Sequence, residues 1–294
     1  MANLKDIKRK IGSVKNTQKT TRAMKLVSTA KLRRTEEVAK RSRFFEDAIN
    51  ATLSEIAASI KQYKIGGIKG RYFEKPEIQA VVDIVFITAD KGLCGGFNYQ
   101  TIKTVRNLIG EYEKKGTKVR LKAVGKKGIE FFSFQGYELA DSVIGLSSAP
   151  DYKEAAAFIS RSVEDYMDEK IDGVVLVHNG YKNMITQEIK MVNLLPIDTS
   201  KFEGNAPSSM IELEPDESEK VLESLINKYI EFNMYYALID SLAAEHSARM
   251  QAMDAATKNA KEMVESLTIS YNKARQESIT TELIEIISGM EAMK

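Results

Sequence analysis

The chain has 294 residues, a length that points to about two domains. Hydrophobic residues make up 43% and charged residues 29%, and no uninterrupted apolar run reaches the roughly 18 residues of a membrane-spanning helix. A single cysteine, Cys94, and two histidines, His178 and His246, exclude an internal disulfide and a cysteine-built zinc site and argue against a histidine-rich one.

Charge and breakers draw the domain map. The net charge is only +2, yet residues 1–43 carry 14 Lys/Arg against 3 Asp/Glu, and residues 211–294 carry 8 against 16. The asymmetry marks an interaction surface near the start of the chain. Of 17 glycines, 15 lie between Gly66 and Gly204, and all five prolines lie between Pro76 and Pro215. Both ends therefore lack helix breakers over long stretches, and the middle is rich in turn signals. Four segments are expected: an N-terminal helix over 1–62, an α/β domain over 75–198, a linker over 199–215 and a C-terminal helix over 216–294.

In the first helix, Leu4, Ile7, Ile11 and Val14 begin an apolar seam. It is expected to weaken at Gln18–Thr21 and to resume less regularly at Met24, Val27, Leu32, Val38 and Phe45. In the middle, Ala80–Thr88 reads as a buried strand, 98–115 as a helix, 119–124 as a strand and 129–134 as a short helix. A helix follows over 151–169, then strands over 173–178 and 186–194. This alternation predicts a mostly parallel, Rossmann-like sheet with helices on its faces. Ser200–Pro215 is a polar linker, and Pro215-Asp216-Glu217 suits the first turn of the last helix. From there a 3-4 spaced track runs from Leu222 through Phe232, Ile239, His246, Met253, Ala260 and Leu267 to Ala274, which is a heptad seam. If the two long helices pair, their chain directions make the pairing antiparallel. The end of the last helix carries Ile279, Leu283, Ile284, Ile286, Ile287, Met290 and Met293 with no obvious partner in the chain, so this tip is expected inside another protein.

Candidate chemistry is sparse. ADKGLCGGFN (89–98) lies between a strand and a helix, where a glycine-rich turn can cradle phosphate. Its glycines, Gly92, Gly95 and Gly96, do not follow G-x-G-x-x-G, and a turn that packs helix on sheet competes with that reading. No phosphate loop of the G-x-x-x-x-G-K-[ST] kind occurs. Cys94 reads as a buried structural thiol and His246 as a packed seam residue. His178 precedes Asn179-Gly180, a turn signal, and receives no role. No catalytic constellation, cofactor site or metal site emerges. The basic first helix leaves a nucleic-acid-binding coil joined to an α/β domain as the alternative, although residues 1–43 lack aromatics for base stacking.

Three blocks together resemble the gamma subunits of rotary F-type ATP synthases: IKRKIGSVKNTQKTTRAMKLVSTAKLRR (7–34), ITADKGLCGGFN (87–98) and ARMQAMDAATKNAKEMVESLTISYNKARQESITTELIEIISG (248–289). Their order and spacing extend the resemblance over the whole chain. It implies an antiparallel coiled coil of the two chain ends with an α/β domain against its lower part. It also implies a non-catalytic rotor shaft inside a ring of three alpha and three beta subunits, with the epsilon subunit and the membrane ring of c subunits below and no nucleic acid. Rotation driven by ion flow would change the catalytic sites in turn. By the same resemblance, Met24, Arg249, Arg275, Gln276 and Thr280 contact beta subunits, with Lys19, Arg22 and Lys25 as supporting basic contacts. Ile279, Leu283, Ile286, Ile287 and Met290 form the bearing tip. One cysteine rules out the paired-cysteine regulation of chloroplast forms. With a start directly at the shaft motif, this implies a bacterial enzyme, peripheral on the cytoplasmic face of the inner membrane.

Overall fold

The computed structural model describes residues 4–63, 71–73, 79–197 and 218–293, with backbone alone at 43, 45–47, 49–63 and 218–222. The expected linker over 199–215 and the proposed first turn at Pro215–Glu217 lie outside the described residues. In chain order the elements are α1 (Leu4–Tyr63), β1 (Val81–Ile87), α2 (Phe97–Lys114), β2 (Lys118–Val124), α3 (Lys126–Phe134), β3 (Leu139–Val143), α4 (Tyr152–Met167), β4 (Gly173–Tyr181), β5 (Gln187–Leu195) and α5 (Ser218–Glu291). The chain divides into two compact units, one of residues 1–29 with 249–294 and one of residues 30–248.

The sheet of the second unit has the order β3-β2-β1-β4-β5. All pairs are parallel except β4 with β5, which form an antiparallel hairpin. This is the expected Rossmann-like arrangement with one strand more than the sequence reading placed. The missed strand, β3, has the sequence LADSV and alternates half-buried with exposed positions. Only two of its residues are large and apolar, too weak a period to announce a strand.

β1 is buried on both faces, which is why its sequence is a continuous apolar run rather than an alternation. Val82, Ile84 and Phe86 meet Ile102, Val105 and Ile109 of α2 and Phe132 of α3. Val85 and Ile87 face the other way, in one cluster with Phe158, Ile159 and Tyr166 of α4 and Ile226, Ile230, Met234 and Leu238 of α5. Within this unit the last helix therefore covers one face of the sheet. Asp83, the polar break in β1, is fully buried and paired, with Arg120 at 2.8 Å and the Ser162 hydroxyl donating at 2.9 Å. Gly125, after β2, has φ +98, and a Cβ there would come within 1.9 Å of the Thr88 carbonyl oxygen. No other residue fits where α3 turns onto β1.

Asn179-Gly180 is not a turn. It lies inside β4, which runs on to Tyr181, and the hairpin turns at 182–186 instead. There the Asn183 carboxamide oxygen accepts from the backbone N–H groups of Ile185 and Thr186. Gly180 is required by close approach: a Cβ would lie 2.6 Å from Asp240 Oδ2 and 2.7 Å from Lys190 Cε. Asp240, on α5, is buried and bonded to His178 Nε2 at 3.2 Å, Lys190 Nζ at 2.7 Å and the Tyr181 backbone N–H at 3.0 Å. Burial alone would raise its carboxyl, but the hydrogen bonds from His178 and Lys190 outweigh it and hold the group below the ordinary carboxylate range.

The depressed Asp240 carboxyl links stability to pH. Its contribution is complete above the unfolded-state value of about 4 and disappears as pH falls through the lower folded value. In urea titrations of the isolated chain, Asp240→Asn is expected to lower stability at pH 7 by about 2 kcal/mol. Below pH about 4 the variant should lose less further stability than the parent. Parallel pH profiles for the two proteins would show that the pairing has no such weight.

Candidate functional site: the paired ends and their apolar tip

The first unit is built on a continuous seam. Along α1 the shielded positions are Leu4, Ile7, Ile11, Val14, Gln18, Thr21, Met24 with Lys25, and Ser28, at spacings of three and four. Leu32, Thr35 and Ala39 continue the period along the helix. The apolar seam gives way at Gln18–Thr21 as expected, but the shielded track continues there through polar side chains. Val27 and Val38, expected on it, are 56% and 43% exposed. Phe45 lies among the positions without a described side chain.

Two contacts fix the register of α1 on α5. The Thr21 and Thr257 hydroxyls are 2.8 Å apart, and Lys25 Nζ lies 2.6 Å from Asp254 Oδ1. Both belong to one antiparallel alignment, which sets Ile7 opposite Tyr271 and Leu4 opposite Ala274. On α5 the shielded track is Met253, Thr257, Ala260, Val264, Leu267, Tyr271, Ala274 and Ser278. This matches the predicted heptad track as far as Ala274 and adds one position. Every described residue from Ile279 to Met293 is exposed. The seam stops where α1 begins, and α5 runs on alone among the described residues.

The phase of that overrun is informative. The seam spacing would continue at Thr281, Glu285 and Ser288, all polar. The apolar residues Ile279, Leu283, Ile286 and Met290 keep the same heptad period but precede the continued seam positions by two residues, about 160° around the helix. They are 49–65% exposed. A stripe displaced from the seam cannot be an unfinished piece of the same coil. It is a separate exposed apolar surface, facing another direction.

The individual positions separate into groups. Lys19 and Arg22 are exposed on α1, and Met24 is half-buried at the seam edge. Lys25 is not a free basic contact: it is bonded within the coil to Asp254, whose carboxyl is held below its usual range first by that lysine and then by Lys258. Arg249 is 9% exposed and so differs from Arg275 and Gln276, which are open. Thr280 is open as well, with its hydroxyl donating to the Gln276 carbonyl at 2.9 Å. Arg275, Gln276 and Thr280 therefore share one exposed length of α5 with the apolar tip, while Met24, Lys25 and Arg249 lie further along the coil from that tip.

The glycine-rich turn takes another role. In open α/β sheets, ligands bind outside the carboxyl ends of the strands where the strand order switches. Here that position is filled: Ala89, Cys94 and Phe97 form one buried cluster with Ala244 and Ala248 of α5, and Tyr181 at the end of β4 packs on it. Asn98 holds the turn, accepting from the Ala89 N–H at 2.8 Å. Cys94 is the expected buried thiol. His246 is buried on the seam as expected. No group of three or more His, Cys, Asp or Glu able to hold a metal occurs among the described residues, and no described helix is long and apolar enough to cross a membrane.

The ATP synthase family matches residues 3–293. The chain is 81% identical to the ATP synthase gamma chain of a Nitratiruptor species over all of both chains. It is 61% identical to that of Sulfurimonas denitrificans, again over all of both chains. Among solved structures, it resembles a chain of the Tetrahymena thermophila mitochondrial ATP synthase central stalk and c-ring with TM-score 0.61 and 25% identity, over 81% of this chain and 99% of that one.

The Thr21–Thr257 layer gives a direct test of the seam. Thr21→Val alone should destabilise the isolated chain by about 1 kcal/mol, because the Thr257 hydroxyl keeps its bond to the Met253 carbonyl at 2.7 Å but loses its partner across the seam. Combining it with Thr257→Val should recover most of that loss, since two methyls replace two hydroxyls of similar shape. Thermal unfolding followed by helical circular dichroism checks the cycle; additive losses would show that the two side chains are not coupled.

Proposed function

The chain belongs to the ATP synthase gamma-chain family, and from that membership we propose that it is the central rotor of an F-type ATP synthase. It couples ion flow through a membrane ring of c subunits to ATP synthesis or hydrolysis at the beta subunits. It is itself non-catalytic, one copy standing within three alpha and three beta subunits, with the epsilon subunit alongside. It works at the cytoplasmic face of a bacterial inner membrane as a peripheral component. The relatives lend no support to the nucleic-acid alternative.

The observation that carries this reading is the displaced apolar stripe on the last turns of α5. Exposed Ile279, Leu283, Ile286, Ile287 and Met290 need a non-polar surround, and their phase directs them away from α1. A collar formed by the ring of surrounding subunits supplies that surround as a bearing. Below it, Arg275, Gln276 and Thr280 offer hydrogen bonds that can be made and released with each beta subunit in turn. Lower still, Met24 with Lys19 and Arg22 faces an acidic element of beta, where charge guides the approach. Lys25 and Arg249 contribute there through the coil: the first is held by Asp254, and the second is largely covered.

A single asymmetric coil explains the mechanism physically. It presents one kind of surface to each of three chemically identical subunits at any moment. The three sites are held in different conformations by differential contact energy, and turning the coil moves those preferences round the ring.

Co-expression with alpha and beta subunits from the same source tests the reading. A complex of three alpha, three beta and one copy of this chain, with ATPase activity above that of alpha and beta alone, is expected. A chain that stays free while alpha and beta assemble would refute it. Two variants address the contacts. Removing residues 276–294 should weaken assembly or torque, and normal values for both would count against an essential tip. Met24→Lys should lower the number of protons pumped per ATP hydrolysed; an unchanged ratio would remove Met24 from the beta contact.

A further inference from the structure

The β4–β5 hairpin carries polar ties that the rotor reading does not use, and they converge on both long helices within the second unit. Tyr181, the last residue of β4, is held twice. Its backbone N–H donates to Asp240 Oδ1 of α5 at 3.0 Å, and its hydroxyl bonds to the Glu36 carboxylate of α1. The same Asp240 takes Lys190 from β5 and His178 from β4, so one carboxylate gathers both strands of the hairpin. Seven residues further along α5, two turns up the same side, the Ser247 hydroxyl donates to the Met184 carbonyl at 2.9 Å and meets Gln187 Nε2 at 2.9 Å. Gly180 supplies the room for this approach.

Apolar packing resists separation but is non-directional, whereas hydrogen bonds between buried groups fix orientation. The contacts of β4 and β5 with α5 and α1 therefore define the angular setting of the sheet about the helices. Resting on the rotor reading, we propose that this hairpin is the drive joint of the molecule. Asp240 and Tyr181 are its positioning residues, and through them a turning force applied to the α/β domain passes to α5 and α1 without slip. The side chains that meet them come from three elements: Glu36 from α1, His178 from β4 and Lys190 from β5. The Lys190 ammonium also lies 5.9 Å from the ring centre of Tyr236, on α5 itself. No partner subunit is needed to complete the joint.

The test uses the whole ATP synthase in inverted membrane vesicles, reading ATP hydrolysis and ATP-driven acidification together. Tyr181→Phe with Asp240→Asn is expected to leave hydrolysis within about twofold of the parent and to lower acidification per ATP at least threefold. Joining Gln187→Cys and Ser247→Cys in that background with a short bis-maleimide should restore most of the ratio, a rescue that a general folding defect would not show. Should the double variant fail to assemble, Tyr181→Phe alone carries the test, expected to lower the ratio in the same direction. An unchanged ratio, or hydrolysis and acidification falling in parallel without rescue, overturns the drive joint. A parent complex that lacks this chain, or that hydrolyses ATP without acidification, instead overturns the rotor reading itself.

Discussion

Much of the second unit depends on how closely α5 can approach the sheet. Ala244 and Ala248 carry the smallest side chains that still bury a methyl, and they let the helix lie against Cys94 and Phe97 at the mouth of β1 and β4. A larger residue at either position would lift the helix and reopen the crevice. With the helix seated, Asp240 reaches into the space that Gly180 leaves, and Tyr235 and Tyr236 pack beside Phe232 on the sheet cover. The glycine-rich turn is thus best understood as a socket. Its composition resembles a phosphate cradle because both uses demand that a helix and a backbone come close together.

That seating bears on the end of the sheet where nucleotide-type folds take their ligands. The fold offers one place where ligands ordinarily bind, and the chain's own helix occupies it.

Long-period features are legible in the sequence, and local polar ones are not. Breaker-free ends, strand-helix alternation and the heptad track on α5 all announce themselves through many residues at once, and the apolar overrun is visible as a cluster. An apolar scan misreads the seam of α1 because it cannot follow Gln18, Thr21 and Ser28, which are shielded by their position opposite α5 rather than by their chemistry. β3 escapes because five alternating residues with two apolar members carry little signal. Asn179-Gly180 suggests a turn because the pair has that meaning in most settings; only the approach of Asp240, 62 residues away from His178, gives the glycine its other reason. Contacts at such separations leave no local pattern. Among the positions assigned by resemblance, Lys25 is paired with Asp254 and Arg249 is buried, neither of which their neighbours in sequence reveal.

The offset between the seam and the apolar stripe has a bearing on how such a chain can change over time. One inserted or deleted residue between Ser278 and Ile279 would swing every side chain of the overrun by about 100° relative to the seam. Gains and losses of seven, two whole turns, would preserve its heading and alter only its reach. A length change that keeps the heading of the arc therefore comes in near-whole heptads, each of which drifts it by only about 20°.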